Sequence, residues 1–283
     1  MKQGEKGAWV SIGAYLLLSA LKLLVGHFAQ SKALFADGLN NATDILASVA
    51  VLIGLRIARR PADRSHRYGH YRAETIATMI AGCIMVFVGF DVLLDGGRSL
   101  FVGERVVPQP ISMWTALFSA GVMLLVYRYN FALGRKINSS ALKAAAADNK
   151  SDALVSIGAF VGIFGAQFGL FWLDPLTAVI VGLLILHTAY EILKEAVHNL
   201  IDGYDEKDLQ GMEQVVLAVP DVQEIVDLKA RLHGNNTYVD VVIGVDPDLT
   251  VRESHAITDE IERQLLALEH VEYVHIHVEP ASD

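Results

Sequence analysis

The chain is short of charge and almost without cysteine. Charged residues make up 19% of its 283 positions, against about 25% in an ordinary soluble domain. A single cysteine, Cys83, excludes an internal disulfide and with it a disulfide scaffold. No Gly-x-x-x-x-Gly-Lys-Ser/Thr loop occurs, so nothing marks an ATP-driven machine, and no His-Glu-x-x-His occurs to mark a zinc peptidase. A net charge of −9 argues against a general nucleic-acid binder. What is present is apolar: 53% of residues are hydrophobic and the mean hydropathy is +0.38. That balance excludes a disordered chain and points to lipid as a solvent.

The charge is unevenly placed. Residues 203–283 carry 18 acids and 5 bases, whereas residues 1–202 carry 14 acids and 18 bases. Long apolar runs precede that boundary and short alternating segments follow it. The expectation is an α-helical membrane protein with a six-span membrane domain over 1–202 and a soluble, acidic α+β domain over 203–283.

A helix needs roughly 20 mostly apolar residues to cross a bilayer. Six stretches qualify, near Ala8–Ala29, Ala33–Leu55, Glu74–Leu94, Ile111–Leu133, Ala141–Leu170 and Leu173–Ile192. The first is too long for a signal-peptide core, and no cleavage-like site follows it. Twelve Lys and Arg residues fall at the N-terminus and in the loops after spans two and four, and three (Lys32, Arg98, Arg105) fall on the other side. The positive-inside rule then puts both termini in the cytoplasm.

Carboxylates inside spans need a reason, because an ionised Asp at a helix centre costs about 2.5–3.5 kcal/mol on insertion scales. Span two holds Asn40 and Asp44; span five holds Asp148 and Asp152. Each pair is spaced i,i+4 and shares a helix face. The two helices run in opposite directions and each pair begins about seven residues in, so both lie roughly 10–17 Å deep. That brings an amide and three carboxylates to one level, where the unpaired carboxylates would repel and protonate and a divalent cation would offset the repulsion. Asp37, nearer the outer end, reads as a cap or hydrogen-bond partner, and Lys22 as a lysine that snorkels to the surface.

These residues, with Ala36-Asp37-Gly38 in span two and Gly69-His70-Tyr71-Arg72-Ala73-Glu74 at the start of span three, resemble the cation diffusion facilitator family of metal–proton antiporters. The layout of six spans and a small cytoplasmic domain is similar over nearly the whole chain. The family's zinc members generally carry His or Asp where this chain has Asn40, and His where it has Asp148. The Asn-x-x-x-Asp and Asp-x-x-x-Asp pairs are similar to the manganese-exporting branch. Oxygen-only ligands suit harder cations, which favours Mn(II) over Zn(II) or Fe(II) as the transported ion.

The resemblance implies further features. Asp63, His66 and His70 match a second metal site in the loop after span two, against the reading of a basic loop whose histidines bond backbone. Arg72 matches a basic residue that pairs with an acid after span six, here Asp202. Residues 205–283 read helix, strand, strand, helix, strand, alike in order to the family's ferredoxin-like, metallochaperone-like domain. There His275, His277 and Glu279 share a strand face by period two. Together with Asp240 and His255, His277 and Glu279 are candidate ligands, although Val226 and Val242 stand where zinc members have more histidines.

The resulting expectation is a homodimeric secondary transporter that exports Mn(II), or else Zn(II) or Fe(II), in exchange for protons, with no cofactor beyond the transported ion and no nucleic-acid partner. The rivals from other classes are a membrane-anchored metal sensor and an intramembrane hydrolase using two aspartates or a metal.

Overall fold

The structure is a computed structural model that describes residues 2–103, 106–136, 140–234 and 236–281. Arg105 of the outer-loop charges and Asn235 of the expected hairpin turn lie outside those residues. Six long helices come first: α1 (Lys2–Phe28), α2 (Lys32–Ala58), α3 (Arg72–Val102), α4 (Pro110–Lys136), α5 (Ser140–Gln167) and α6 (Leu173–Leu200). At 27 to 31 residues and about 1.5 Å per residue, each exceeds the ~30 Å of hydrocarbon. Five contain an apolar stretch long enough to cross it. The exception, α5, carries Lys143, Asp148, Lys150 and Asp152 in its first half.

By contacts the chain divides into two compact units, residues 1–50 with 80–191, and residues 51–79 with 192–283. In the first unit, glycines let helices approach closely where backbone meets backbone. A Cβ on Gly26 would lie 2.7 Å from the Phe35 nitrogen, and one on Gly182 would lie 3.0 Å from the Leu93 nitrogen. The first contact closes α1 on α2, the second α3 on α6. Leu18 of α1, Met123 of α4 and Ala153 of α5 form one buried cluster, and Ala33, Leu34, Ala116, Ala159 and Ile163 form another.

In lipid the free N–H groups at a helix start need partners within the protein. The start of α2 finds them in Ser31, whose Oγ accepts from the Leu34 N–H at 3.1 Å. Asp174 of α6 completes the cap, accepting from the Lys32 N–H at 2.8 Å and the Ser31 hydroxyl at 2.7 Å. The buried Asp174 is thus a structural carboxylate.

The second unit contains α7 (Glu206–Leu217), β1 (Glu224–His233), β2 (Asn236–Val245), α8 (Val251–Leu266) and β3 (Val271–Pro280). The strands lie in the order β1-β2-β3, with β1 antiparallel and β3 parallel to β2. A parallel neighbour needs a crossover, and α8 is that crossover. Thr250 starts it with a capping box: its hydroxyl accepts from the Glu253 N–H, and the Glu253 carboxylate accepts from the Thr250 N–H. Period-two alternation sends Val239, Val241, Ile243 and Val274 into one core with Met212 and Val216 of α7 and Ile257, Ile261 and Leu265 of α8. The alternate residues Tyr238, Asp240, Tyr273, His275, His277 and Glu279 line the other face.

Candidate metal centre

The pairing of α2 with α5 can be read residue by residue. Ala33 and Leu34 pack with Ala159 and Ile163, Asp37 meets Ser156, and Asn40 meets Asp152. Numbers rise on one helix as they fall on the other, so the helices are antiparallel. The i,i+4 pairs expected at a matched level therefore do face one another. The Asn40 Nδ2–H donates to Asp152 Oδ1 at 3.2 Å. Asp44, Asp148 and Asp152 lie close enough for their charges to act on one another. Asp152 is buried, Asn40 and Asp44 are half-buried, and Asp148 is exposed. The three carboxylates do not gather within 4.8 Å of one another.

Asp152 has a second holder, which its own helix does not reveal. Tyr15 of α1 donates its phenol proton to Asp152 Oδ2 at 2.5 Å. The Tyr15 oxygen in turn accepts from Asn149 Nδ2 at 3.0 Å. Asn149 Oδ1 accepts from Asn130 of α4 at 3.0 Å and from the Ser11 hydroxyl at 3.2 Å. A chain of buried polar groups on three helices thus ends on one carboxylate oxygen. Such outer partners fix the orientation of a ligand and are worth about 10–100-fold in metal affinity or activity. The available signal was the spacing of Ser11, Tyr15, Ser19 and Lys22, one polar stripe at helical period on α1.

Lys22 corrects an expectation. It does not snorkel: it is 0% exposed. Its Nζ donates to Asp37 Oδ1 at 2.9 Å, Asn41 Oδ1 at 2.6 Å and Ser156 Oγ at 2.9 Å. A buried ammonium is tolerated when all three protons and its charge are matched, and here they are.

The loop after α2 brings its three expected residues together. Among the described residues, Asp63, His66 and His70 are the one set of three histidine, cysteine or acidic side chains whose ligand atoms all lie within 4.8 Å. Asp63 Oδ1 accepts from the His66 N–H at 2.7 Å, the Ser65 hydroxyl at 2.8 Å and the Ser65 N–H at 2.9 Å. The Ser65 hydroxyl first, then the backbone donors, hold the Asp63 carboxyl well below the usual carboxylate range. Its Oδ2 lies 3.5 Å from His70 Nε2. Gly69, at φ +80°, turns the chain between the loop and α3. Arg72 and Asp202 form the expected ion pair, and Asp202 follows α6 in the left-handed backbone region at φ 63°.

The four C-terminal candidates do not converge. Asp240, His277 and Glu279 lie on the open face of the sheet, whereas His255 belongs to α8, which packs through Ile257 and Ile261 on the opposite face. His255 contacts Asp259 at 3.6 Å instead. The parallel register sets His275 beside Asp240, at 3.9 Å, and shifts His277 to Val242. Period two could place residues on a face; it could not place the helix.

Comparison with known proteins settles the class. Residues 8–201 match the cation efflux transmembrane domain, and residues 204–281 match the cation efflux protein cytoplasmic domain. The chain belongs to the cation efflux family of divalent-metal transporters and is not an enzyme. The manganese efflux system protein MneS of Bacillus subtilis is 53% identical over 99% of this chain and 97% of its own length. The uncharacterized transporter YdbO of the same organism is 51% identical over the same shares. The manganese efflux system protein MneP, also from Bacillus subtilis, is 34% identical over 98% of this chain and 96% of its own length.

Proposed function

We propose that this protein exports Mn(II) from the cell in exchange for protons, through a transport site made of Asn40, Asp44, Asp148 and Asp152. The observation that carries this reading is the Asn40–Asp152 contact between antiparallel helices, which sets two i,i+4 ligand pairs face to face. All four donors are oxygens, which suits Mn(II) better than Zn(II), and two relatives along the full length are named manganese efflux proteins.

The geometry supplies a sequence of events. Asn40 now spends an N–H on Asp152 Oδ1. Turning the amide about its terminal torsion presents the Asn40 carbonyl to an incoming cation and frees Asp152 Oδ1. Tyr15 keeps hold of Oδ2 throughout, so the free oxygen stays aimed. Metal and protons compete for the same carboxylates. Facing the cytoplasm, the site gives up protons and takes metal; facing outward, protons displace it. Alternation of access around this fixed level completes the exchange.

In this reading the protein works as a homodimer in the plasma membrane with both termini cytoplasmic, its α+β domain serving dimerisation. Asp63, His66 and His70 form a loop metal site outside the transport path. On the open sheet face, His277 with Glu279, at 3.6 Å, and His275 with Asp240, at 3.9 Å, are the pairs available to a metal ion. The test is metal-dependent proton flux in proteoliposomes with a panel of divalent ions. Mn(II) is expected to drive the largest flux; proton flux indifferent to Mn(II) would overturn the reading.

A further inference from the structure

Lys22 sits in a cage shaped for a cation. Three oxygens surround its nitrogen: Asp37 Oδ1, Asn41 Oδ1 and Ser156 Oγ, at 2.6–2.9 Å. All four residues are at most 1% exposed. The Ser156 hydroxyl proton goes to Asp37 Oδ2 at 2.8 Å, which turns its lone pairs toward the ammonium. Asn41 points its carbonyl inward and leaves its Nδ2 without a partner. A buried N–H left unpaired is costly, so the orientation of this amide serves the cation and not itself.

The cage is built on the same two helices as the proposed transport site, offset by three residues on α2 and by four on α5. Asp37 and Asn41 are spaced i,i+4 on α2, as are Asn40 and Asp44. Ser156 follows Asp152 by four residues on α5. Since α2 and α5 are antiparallel, both steps go in the same direction, about 4.5 Å on α2 and about 6 Å on α5. The two ligand sets are thus neighbouring levels of one oxygen-lined interface. One level is open to an ion; the other holds a cation that cannot leave, because α1 tethers it.

We infer that Asp37, Asn41 and Ser156 form a second divalent-cation position beside the transport site, and that the ammonium of Lys22 keeps it closed to metal. Its donors are a carboxylate, an amide carbonyl and a hydroxyl, the hard oxygen set that takes Mn(II), Ca(II) or Mg(II). Lys22 is then a specificity-determining residue that acts through Asp37. By neutralising that carboxylate, it prevents an ion leaving Asp152 from being trapped one turn on. This extends the transport reading above, but the cage itself can be tested without it.

The test counts Mn(II) bound per protomer by equilibrium dialysis, using full-length protein in nanodiscs. Asp44→Ala serves as background to disable the neighbouring site. Adding Lys22→Met is expected to increase binding by one Mn(II) per protomer, and adding Asp37→Asn as well is expected to abolish the increase. Equal binding by all three folded proteins would overturn the inference. If Lys22→Met leaves Asp37 too destabilised to fold, Mn(II) in the purification is expected to rescue it. Failure to fold with or without Mn(II), while Lys22→Met/Asp37→Asn folds, would also overturn it. In the otherwise unaltered chain, Lys22→Met is expected to lower Mn(II) flux by about 10–100-fold, the range for a group that acts through a ligand's neighbour, and Asp37→Asn to restore most of it. Normal transport by Asp44→Ala would count against the transport site and leave the cage result standing.

Discussion

Two candidate ligand sets in this chain are assembled in opposite ways. Asp63, His66 and His70 come from eight consecutive residues, and one tight turn brings them within 4.8 Å. The turn holds itself through hydrogen bonds from Ser65 and the His66 N–H to Asp63. Asn40, Asp44, Asp148 and Asp152 come from two helices over a hundred residues apart in sequence. One of them, Asp152, is oriented by Tyr15, behind which stand Asn149, Asn130 and Ser11. A local turn gives a ready site that stays put. In the proposed reading, a site split between helices can change its ligand geometry as they move, which alternating access requires.

The largest effect expected from that contrast is loss of transport. Asp44→Ala, Asp148→Ala and Asp152→Ala are each expected to abolish Mn(II) uptake into inverted vesicles while the protein still assembles, because each removes an anionic oxygen ligand that the cation needs. Normal uptake in two of them would break the comparison by removing the helix site from the path. Tyr15→Phe comes next. It keeps the ring and removes the donor to Asp152, so the apparent Mn(II) affinity in vesicle uptake is expected to fall about 10–100-fold. An unchanged affinity would mean that Asp152 needs no outside support.

The helix site was open to sequence reading because its evidence is periodic. Two i,i+4 pairs at matched depth in opposed spans imply facing ligands without knowledge of the packing. The C-terminal strands and helices were equally open, since period two and period 3.6 change where the elements do. Tyr15 and Lys22 were not. A polar residue in a span has many possible destinations, and only the packing of α1 on α2 and α5 shows that Tyr15 reaches Asp152 and that Lys22 reaches Asp37 and Ser156. His255 failed for the related reason that a face can be assigned along one strand but not across a crossover helix. The Asp240–His275 neighbours followed from a parallel register that no sequence spacing encodes.

Selectivity sharpens the contrast further. Asp148→His introduces an imidazole at the one exposed ligand of the helix site and removes a hard anion. The Zn(II)/Mn(II) flux ratio is expected to rise by about tenfold, in line with the ligand preferences of the two ions. A constant ratio with both fluxes measurable would place selectivity in gating. His66→Ala with His70→Ala is expected to alter Mn(II) flux by no more than a few-fold, since the loop lies outside the proposed path. Complete loss in a folded double variant would make the loop obligatory.

The smallest effect is electrostatic. Hydrogen bonds depress the Asp63 carboxyl in the folded turn, so its contribution to the turn is present above the ordinary range near pH 3.9. That contribution is lost only as pH falls through the lowered value. Ser65→Ala removes the first of these donors and is expected to move the Asp63 midpoint upward, followed by carboxyl carbon NMR. An unmoved midpoint would show that the backbone N–H groups alone hold the anion.

The central claim is that one helix-borne site carries both metal and protons. It is tested most directly by recording Mn(II) and proton fluxes together in the same proteoliposomes, for the unaltered protein and for Asp152→Ala. The expected result is opposed Mn(II) and proton fluxes in the first and the disappearance of both in the second. Mn(II) flux that persists in Asp152→Ala, or that runs in the unaltered protein without any countermovement of protons, would contradict the account.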